Sequence, residues 1–196
     1  MPIQNSKFKL HSFNFQNSKF KIYSMLSKDS LLKIRAILFD CDGVMTDGSV
    51  WVLYNGDAIR SFNVKDGYAI QYAVKKGYTL ALITGANSQS TVNRMQYLGM
   101  QHIFSGCANK MQTYRRFLEE QHLTSDQVLY MGDDIPDYEI MRQVGIAACP
   151  VDAAPEILEV AHYVSPLKGG QGCLRDVIEQ VLRAQGQWFH PDAVNW

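Results

Sequence analysis

Asp40 and Asp42 stand two apart in the run LFDCDGVMTDG at 38–48. At the end of a strand, residues two apart project to one side. The pair therefore sets two carboxylates side by side, and these repel unless a cation or a proton is shared between them. Asp-Gly is also ordinary turn chemistry, so the pair taken alone reads equally as a turn. Three later segments argue for chemistry instead. LITG at 82–85 places the Thr84 hydroxyl and Gly85 after an apolar run. GCANK at 106–110 places Lys110 at a helix start, where the helix dipole disfavours a cation; a phosphate or carboxylate partner would offset that. MGDDIPD at 131–137 carries Asp133, Asp134 and Asp137 around Pro136. Helix capping needs one or two of these acids, and the excess suits a hard cation bound through oxygen.

Four separate segments must be brought to one place, and the pattern from residue 34 onward suggests how. Apolar runs at 34–39, 78–83, 102–105, 128–131 and 146–148 read as buried strands. Between them a helix is expected over 66–76, with Asp66 as N-cap and Gly77 as stop. Others run through Val92, Met95 and Leu98 to Gly99, from Lys110 with Met111, Tyr114 and Leu118 on one face, and from Pro136 to Gly145. A last helix sets Leu174, Val177, Ile178, Val181 and Leu182 at helical spacing. Such alternation predicts an α/β fold: a three-layer, Rossmann-like parallel sheet with helices on both faces. Right-handed crossovers put all strand C-termini on one edge, where open α/β sheets bind ligands. Asp40, Thr84 and Asp133 fall on that edge, with Lys110 just beyond the third strand.

Residues 48–65, GSVWVLYNGDAIRSFNVK, interrupt the alternation. Asn55-Gly56 is a type I′ turn signal between β-rich runs, so a β-hairpin is expected to project from the active edge. A lone hairpin is marginal and would leave Trp51, Leu53 and Phe62 partly exposed. Packing against another subunit is expected to cover it.

The order Asp-x-Asp, Thr, Lys, Asp-Asp-x-x-Asp, each after its own strand, resembles the haloacid dehalogenase superfamily over about residues 34–185. DGVMTDG, FNVKDGY, GDDIPD and GGQG resemble more narrowly the small-capped phosphatases of 3-deoxy-D-manno-octulosonate 8-phosphate, an intermediate of lipopolysaccharide synthesis. A sister activity acts on nine-carbon keto-acid phosphates. The resemblance implies an Mg2+-dependent phosphomonoesterase with a hairpin in place of a cap domain. It implies Asp40 as nucleophile and Asp42 as general acid, then general base. Mg2+ would be held by Asp40, the backbone carbonyl of Asp42, and Asp133. Thr84, Gly85 and Lys110 would bind the phosphate, with Lys110 neutralising charge. Asp134 and Asp137 would orient the metal waters and Lys110. The resemblance also implies a homotetramer, with the C-terminal region covering a neighbour's active site. One position departs from the pattern. These phosphatases carry Arg or Glu after the Thr-Gly of the second motif, and here Ala86 stands there, which leaves the choice of sugar acid open. Arg60, Lys65, Arg94, Lys168 and Arg175 are candidate partners for its carboxylate. Lys65 is preferred, because it closes the hairpin beside the active edge.

Composition excludes other classes. The chain of 196 residues is 46% hydrophobic and 19% charged, enough apolar content for one sizeable core. No run is long and apolar enough to span a membrane. The charges balance at 19 basic and 19 acidic, but residues 1–24 hold four lysines and no acid. The rest is mildly acidic, which does not suit nucleic acid. Cys41, Cys107, Cys149 and Cys173 are widely spaced without a zinc pattern, as in a reduced cytoplasmic protein. QNSKFK occurs at 4–9 and again at 16–21, in a segment, 1–29, expected to be an extension, with Met25 as a possible true start. Residues 30–185 form the expected phosphatase domain and 186–196 a tail. Three rivals are weaker. A signalling receiver domain also uses Asp, Thr and Lys, but its acceptor Asp ends a later strand. An idle interaction subunit would have lost a catalytic position, and none is lost. A phosphomutase would need a larger cap to exclude water.

Overall fold

The computed structural model describes residues 26–54, 56 and 58–194; residues 1–25, with their repeat and Met25, lie outside it. Six parallel strands form one sheet: β1 (Ala36–Phe39), β4 (Thr79–Ile83), β5 (His102–Phe104), β6 (Val128–Met131), β7 (Ile146–Cys149) and β8 (Tyr163–Val164). Their spatial order is β5-β4-β1-β6-β7-β8, so β1 is central, paired with β4 on one side and β6 on the other. Chain order reverses around β1. That is the switch point at which an open α/β sheet forms its ligand crevice.

Period-two alternation decides the layers. Ile37 and Phe39 of β1, Leu80 and Leu82 of β4, and Leu129 and Met131 of β6 face one core. It is covered by α1 (Lys28–Lys33), α2 (Val64–Lys75), α3 (Gln89–Tyr97) and α7 (Cys173–Ala184). Ala36, Leu38, Ala81, Ile83, Val128 and Tyr130 face the other, under α4 (Lys110–Gln121), α5 (Tyr138–Met141) and α6 (Pro155–Val160). Leu174, Val177, Ile178, Val181 and Leu182 of α7 are all fully buried, each worth about 1.5–3 kcal/mol of transfer free energy. Among the described residues, no helix is long and apolar enough to cross a membrane.

Several boundaries differ from the sequence pattern, for local reasons. Helix α2 starts at Val64, not at residue 66, because Asn63 is its cap and accepts a hydrogen bond from the Lys65 N–H. Asp66 is instead buried within α2, where its carboxylate accepts the Arg175 N–H in the first turn of α7. The helix expected from Pro136 to Gly145 is a turn of 3-10 helix at Ile135–Asp137 followed by the short α5. Strand β8 has two residues, too few to show a period. Residues 26–29, which the sequence groups with the extension, supply the cap and first turn of α1: Ser27 accepts the Ser30 N–H. Residues 186–194 fold back on α2, where Trp188 meets Tyr72 edge-on at 5.5 Å and Ala193 is buried.

The hairpin is present as β2 (Trp51–Val52) and β3 (Ala58–Ile59). Trp51 pairs with Ile59 and Val52 with Ala58, leaving residues 53–57 between the paired ends. A two-residue Asn55-Gly56 loop would need a register offset by one; Gly56 has φ +88°, and Asn55 lies outside the described residues. Trp51 and Val52 are 73% and 75% exposed. Phe62 is not on this face. It packs partly buried against the first core.

The LKGGQG loop at 167–172 packs on the 43–47 turn of its own chain. The Gly170 N–H donates to the Val44 carbonyl at 2.9 Å, and the Asn63 amide donates to the Gly170 carbonyl at 3.1 Å. A Cβ on Gly169 would lie 2.1 Å from the Gly43 carbonyl oxygen. The glycines thus allow backbone to meet backbone directly beneath the aspartate loop. Gly169→Ala is expected to destabilise by about 1–3 kcal/mol and to lower turnover by shifting Asp42 and Gly43. Thermal melting and steady-state kinetics check both; an unchanged melting temperature would contradict this packing.

Candidate active site

The C-terminal ends of β1, β4 and β6 and the start of α4 bring the separated motifs together. They open on a cavity of about 850 Å³ whose lining includes Asp40, Asp42, Thr84, Lys110 and Asp133. Asp40 ends β1, with its N–H bonded to the Met131 carbonyl of β6 at 3.0 Å. The chain then turns sharply, since the N–H groups of Met45 and Thr46 both donate to the Cys41 carbonyl. Gly43 in this turn has φ +85°, and a Cβ there would lie 1.9 Å from an Asp133 oxygen. Only glycine lets the two acidic loops approach this closely.

Lys110 is the centre of the charge arrangement. Its ammonium lies 2.9 Å from Asp40 Oδ1 and donates to Asp137 Oδ1 at 2.8 Å. Asp137 also accepts from the Tyr130 hydroxyl at 2.6 Å and, on Oδ2, from the Asp133 N–H at 3.1 Å. Burial alone would lower the Lys110 pKa, but the two carboxylates reverse this and hold it above the usual lysine value. Asp40 is pushed up to about 7, first by burial and then by Asp137, against the opposing pull of Lys110. Asp133 is pushed up to about 8 by burial and by its neighbours Asp40 and Asp137. Tyr130 is raised well above its usual value, mainly by burial, so it acts as a donor.

Ligand oxygens of Asp40, Asp133 and Asp137 lie within 4.8 Å of one another. Oδ1 of Asp133 is buried and accepts no hydrogen bond, and Oδ1 of Asp40, though 2.9 Å from the Lys110 ammonium, accepts none of hydrogen-bond geometry. Buried carboxylate oxygens left this way are costly, and a hard divalent cation satisfies them. The donor set is all oxygen, as Mg2+ prefers. Mg2+ fits this site, and Asp40 and Asp133 would hold it through their side chains. Asp137 has both oxygens engaged by Lys110, Tyr130 and Asp133, which suits an orienting role.

The other expected residues divide. The Thr84 hydroxyl is buried in the cavity wall and accepts the Ala86 N–H at 3.2 Å, leaving its proton to donate. Gly85 and Ala86 line the same wall. Asp134 lies exposed at the rim, where it caps the 3-10 turn by accepting the Ile135 N–H. Lys65 is exposed on the first turn of α2 and does not line the cavity. The Asp42 carboxylate turns away from the acidic cluster toward Arg60, whose guanidinium meets both its oxygens. Two contributors escape sequence reasoning. Tyr130 sits inside an apolar strand and carries no motif signal. Arg60 reads as one of several surface cations until the hairpin is folded.

A family model described as haloacid dehalogenase-like hydrolase matches residues 63–151. The 3-deoxy-D-manno-octulosonate 8-phosphate phosphatase KdsC of Yersinia pestis is 38% identical over 151 residues, covering 77% of this chain and 81% of that one. The chain belongs to this phosphatase family. A crystal structure of the Moraxella catarrhalis phosphatase in complex with magnesium, phosphate and KDO superposes with TM-score 0.79 at 28% identity, covering 82% of this chain and 92% of that one. The cobalt-bound phosphatase of Haemophilus influenzae also gives TM-score 0.79 at 28% identity, over 84% and 98%. The fold is that of these metal-dependent phosphatases, and the acidic cluster is suited to a divalent cation.

The raised carboxylates make stability depend on pH and metal together. Folded Asp40 and Asp133 hold protons more tightly than the unfolded chain, whose reference is 3.8. Their contribution is therefore present at low pH and lost as pH rises through about 7 and about 8. Asp66, raised to about 6 by burial, acts with the same sign away from the metal site. Mg2+ needs the ionised acids and removes the cost at the first two. In chelator, the melting temperature is expected to fall from pH 5 to pH 8.5. Mg2+ at about 100 times its dissociation constant should raise it by about 5–10 °C at pH 8.5 and by less at pH 5. An equal Mg2+ shift at both pH values would contradict the assignment.

Proposed function

We propose that this chain hydrolyses 3-deoxy-D-manno-octulosonate 8-phosphate to the free sugar acid and inorganic phosphate. One observation carries the reading: Asp40 ends the central strand in the cavity, with an ammonium at 2.9 Å and an all-oxygen cation site beside it. Asp40 attacks phosphorus, the bond to the sugar oxygen breaks, and the leaving oxygen takes its proton from Asp42. Water then attacks the aspartyl-phosphate, Asp42 takes the water proton, and Asp40 is regenerated with release of phosphate. Thr84 donates to a phosphoryl oxygen. Lys110, fixed by Asp137 and Tyr130, faces the charge that spreads over the transferring group. Mg2+ bound to Asp40 and Asp133 would supply further neutralisation of that charge.

The choice of sugar acid rests on the relatives, because Ala86 offers no polar contact. A nine-carbon keto-acid phosphate is the competing substrate. Phosphate release from the two, compared at equal concentration with Mg2+, decides between them. Asp40→Asn is expected to lower turnover at least 10³-fold, since an amide is a poor nucleophile and a weaker metal ligand. Residual release within tenfold of wild type would remove Asp40 from the mechanism.

We further propose a cytoplasmic homotetramer built through the hairpins. Among the described residues the four cysteines form no disulfide, which suits a reducing compartment. Val50, Trp51, Val52, Leu53 and Ile59 together expose more apolar surface than a lone two-stranded hairpin sustains. Cyclic symmetry lets each subunit give and receive one hairpin. Trp51→Lys is expected to dissociate the assembly in sedimentation at micromolar concentration and to raise KM more than it lowers kcat. A wild-type monomer that still distinguishes sugar-acid phosphates would refute the shared wall.

A further inference from the structure

Arg60 follows β3 at the base of the hairpin and is nearly buried, its side chain 6% exposed. Its Nε donates to Asp42 Oδ1 at 2.5 Å and its Nη2 to Oδ2 at 2.8 Å, while Nη1 donates to the Ala58 carbonyl at 3.3 Å. This is a two-pronged fork on a carboxylate that lines the cavity. The third contact ties the guanidinium to the hairpin's own backbone, so the fork is held from behind. The charge is specific in its target. Lys110 serves Asp40 and Asp137, and Arg60 serves Asp42.

We propose that Arg60 is a positioning residue for phosphoryl transfer: its fork fixes the Asp42 carboxylate at the cavity and couples the hairpin to the proton-transfer step. The inference rests on the reading of Asp42 as the acid–base residue. As the bond from phosphorus to the leaving oxygen breaks, its electron pair stays on that oxygen, which takes the Asp42 proton. The carboxylate so formed is the group both prongs of Arg60 grip. The guanidinium therefore favours the product of proton donation and holds it in place for the water that follows. An orientation of this kind loses its value when the leaving group needs no proton.

The test uses the full-length enzyme with Mg2+ on phenyl phosphate and p-nitrophenyl phosphate, which present similar rings but differ in how much the leaving oxygen needs protonation. For Arg60→Met, kcat/KM on phenyl phosphate is expected to fall at least tenfold more than on p-nitrophenyl phosphate. Arg60→Lys, which keeps the charge and loses the fork, should fall between. In an Asp42→Asn background, Arg60→Met should change the ratio no further, because both act through one group. Equal losses on the two esters, or a ratio that still falls in the Asp42→Asn background, would overturn the proposal. So would a faster Arg60→Met enzyme, since the fork would then be a lock. Wild type with the same ratio as Asp42→Asn would instead overturn the acid–base reading of Asp42 itself.

Discussion

Lys110 lies between two buried carboxylates, and the rest of the site is arranged around that contact. An isolated charge in this interior would be expelled or neutralised. The ammonium is retained because Asp40 and Asp137 both reach it at under 3 Å. Each partner comes from a different element: Asp40 from β1, Asp137 from the 3-10 turn after β6, Lys110 from the first turn of α4. The contact thus pins three chain segments to one point. Tyr130 extends the pin into the second core, because its ring is buried there while its hydroxyl reaches Asp137.

That arrangement costs stability, and the packing beneath it offsets the cost. Asp40 and Asp133 sit in surroundings that penalise their charge. They stay close because the 43–47 turn has nowhere to go. Gly43 admits Asp133 from one side, and Gly169 and Gly170 press backbone against it from below. Asp66 completes the support by accepting the N-terminal N–H of Arg175 in α7. A helix of the first core is thereby capped by a residue of another helix in the same core. The acidic loops thus rest on the apolar packing of α7, whose Leu174, Val177, Ile178, Val181 and Leu182 are fully buried.

The fold was legible because its two signals are strong. Apolar runs of three to six residues alternate with helical stripes, and the sheet they form places Asp40, Thr84, Lys110 and Asp133 on one edge as the spacing requires. What escaped depends on tertiary context. Asp66 looks like an N-cap in sequence because it precedes an apolar helical stripe; in the fold Asn63 takes that role and Asp66 caps a helix more than a hundred residues away. The hairpin was visible, but its register was not, since one residue of offset changes the loop and every side-chain direction. Phe62 lies beyond β3 and packs against the first core instead. Arg60 and Lys65 are five apart and chemically similar in sequence. The fold buries one against Asp42 and leaves the other on an exposed helix turn.

The cavity of one chain is poorly matched to the second charge of a sugar-acid phosphate. A sugar-acid phosphate carries two anionic groups. The phosphate end meets Lys110, Thr84 and the cation site. Among the described residues that line the cavity, Lys110 is the sole cation, and it is already shared by Asp40 and Asp137. Arg60 is occupied by Asp42. Asp134 and Glu139 at the rim add negative charge, which repels a substrate carboxylate rather than holding it. Ala86 contributes no polar atom beyond its backbone. A carboxylate entering this groove therefore gains little from the chain that supplies the chemistry. In the tetramer proposed above, selectivity for a sugar acid would come from a cation on a second surface brought over the groove. On that proposal the exposed apolar hairpin would recruit such a surface, and assembly would serve substrate choice as well as solubility.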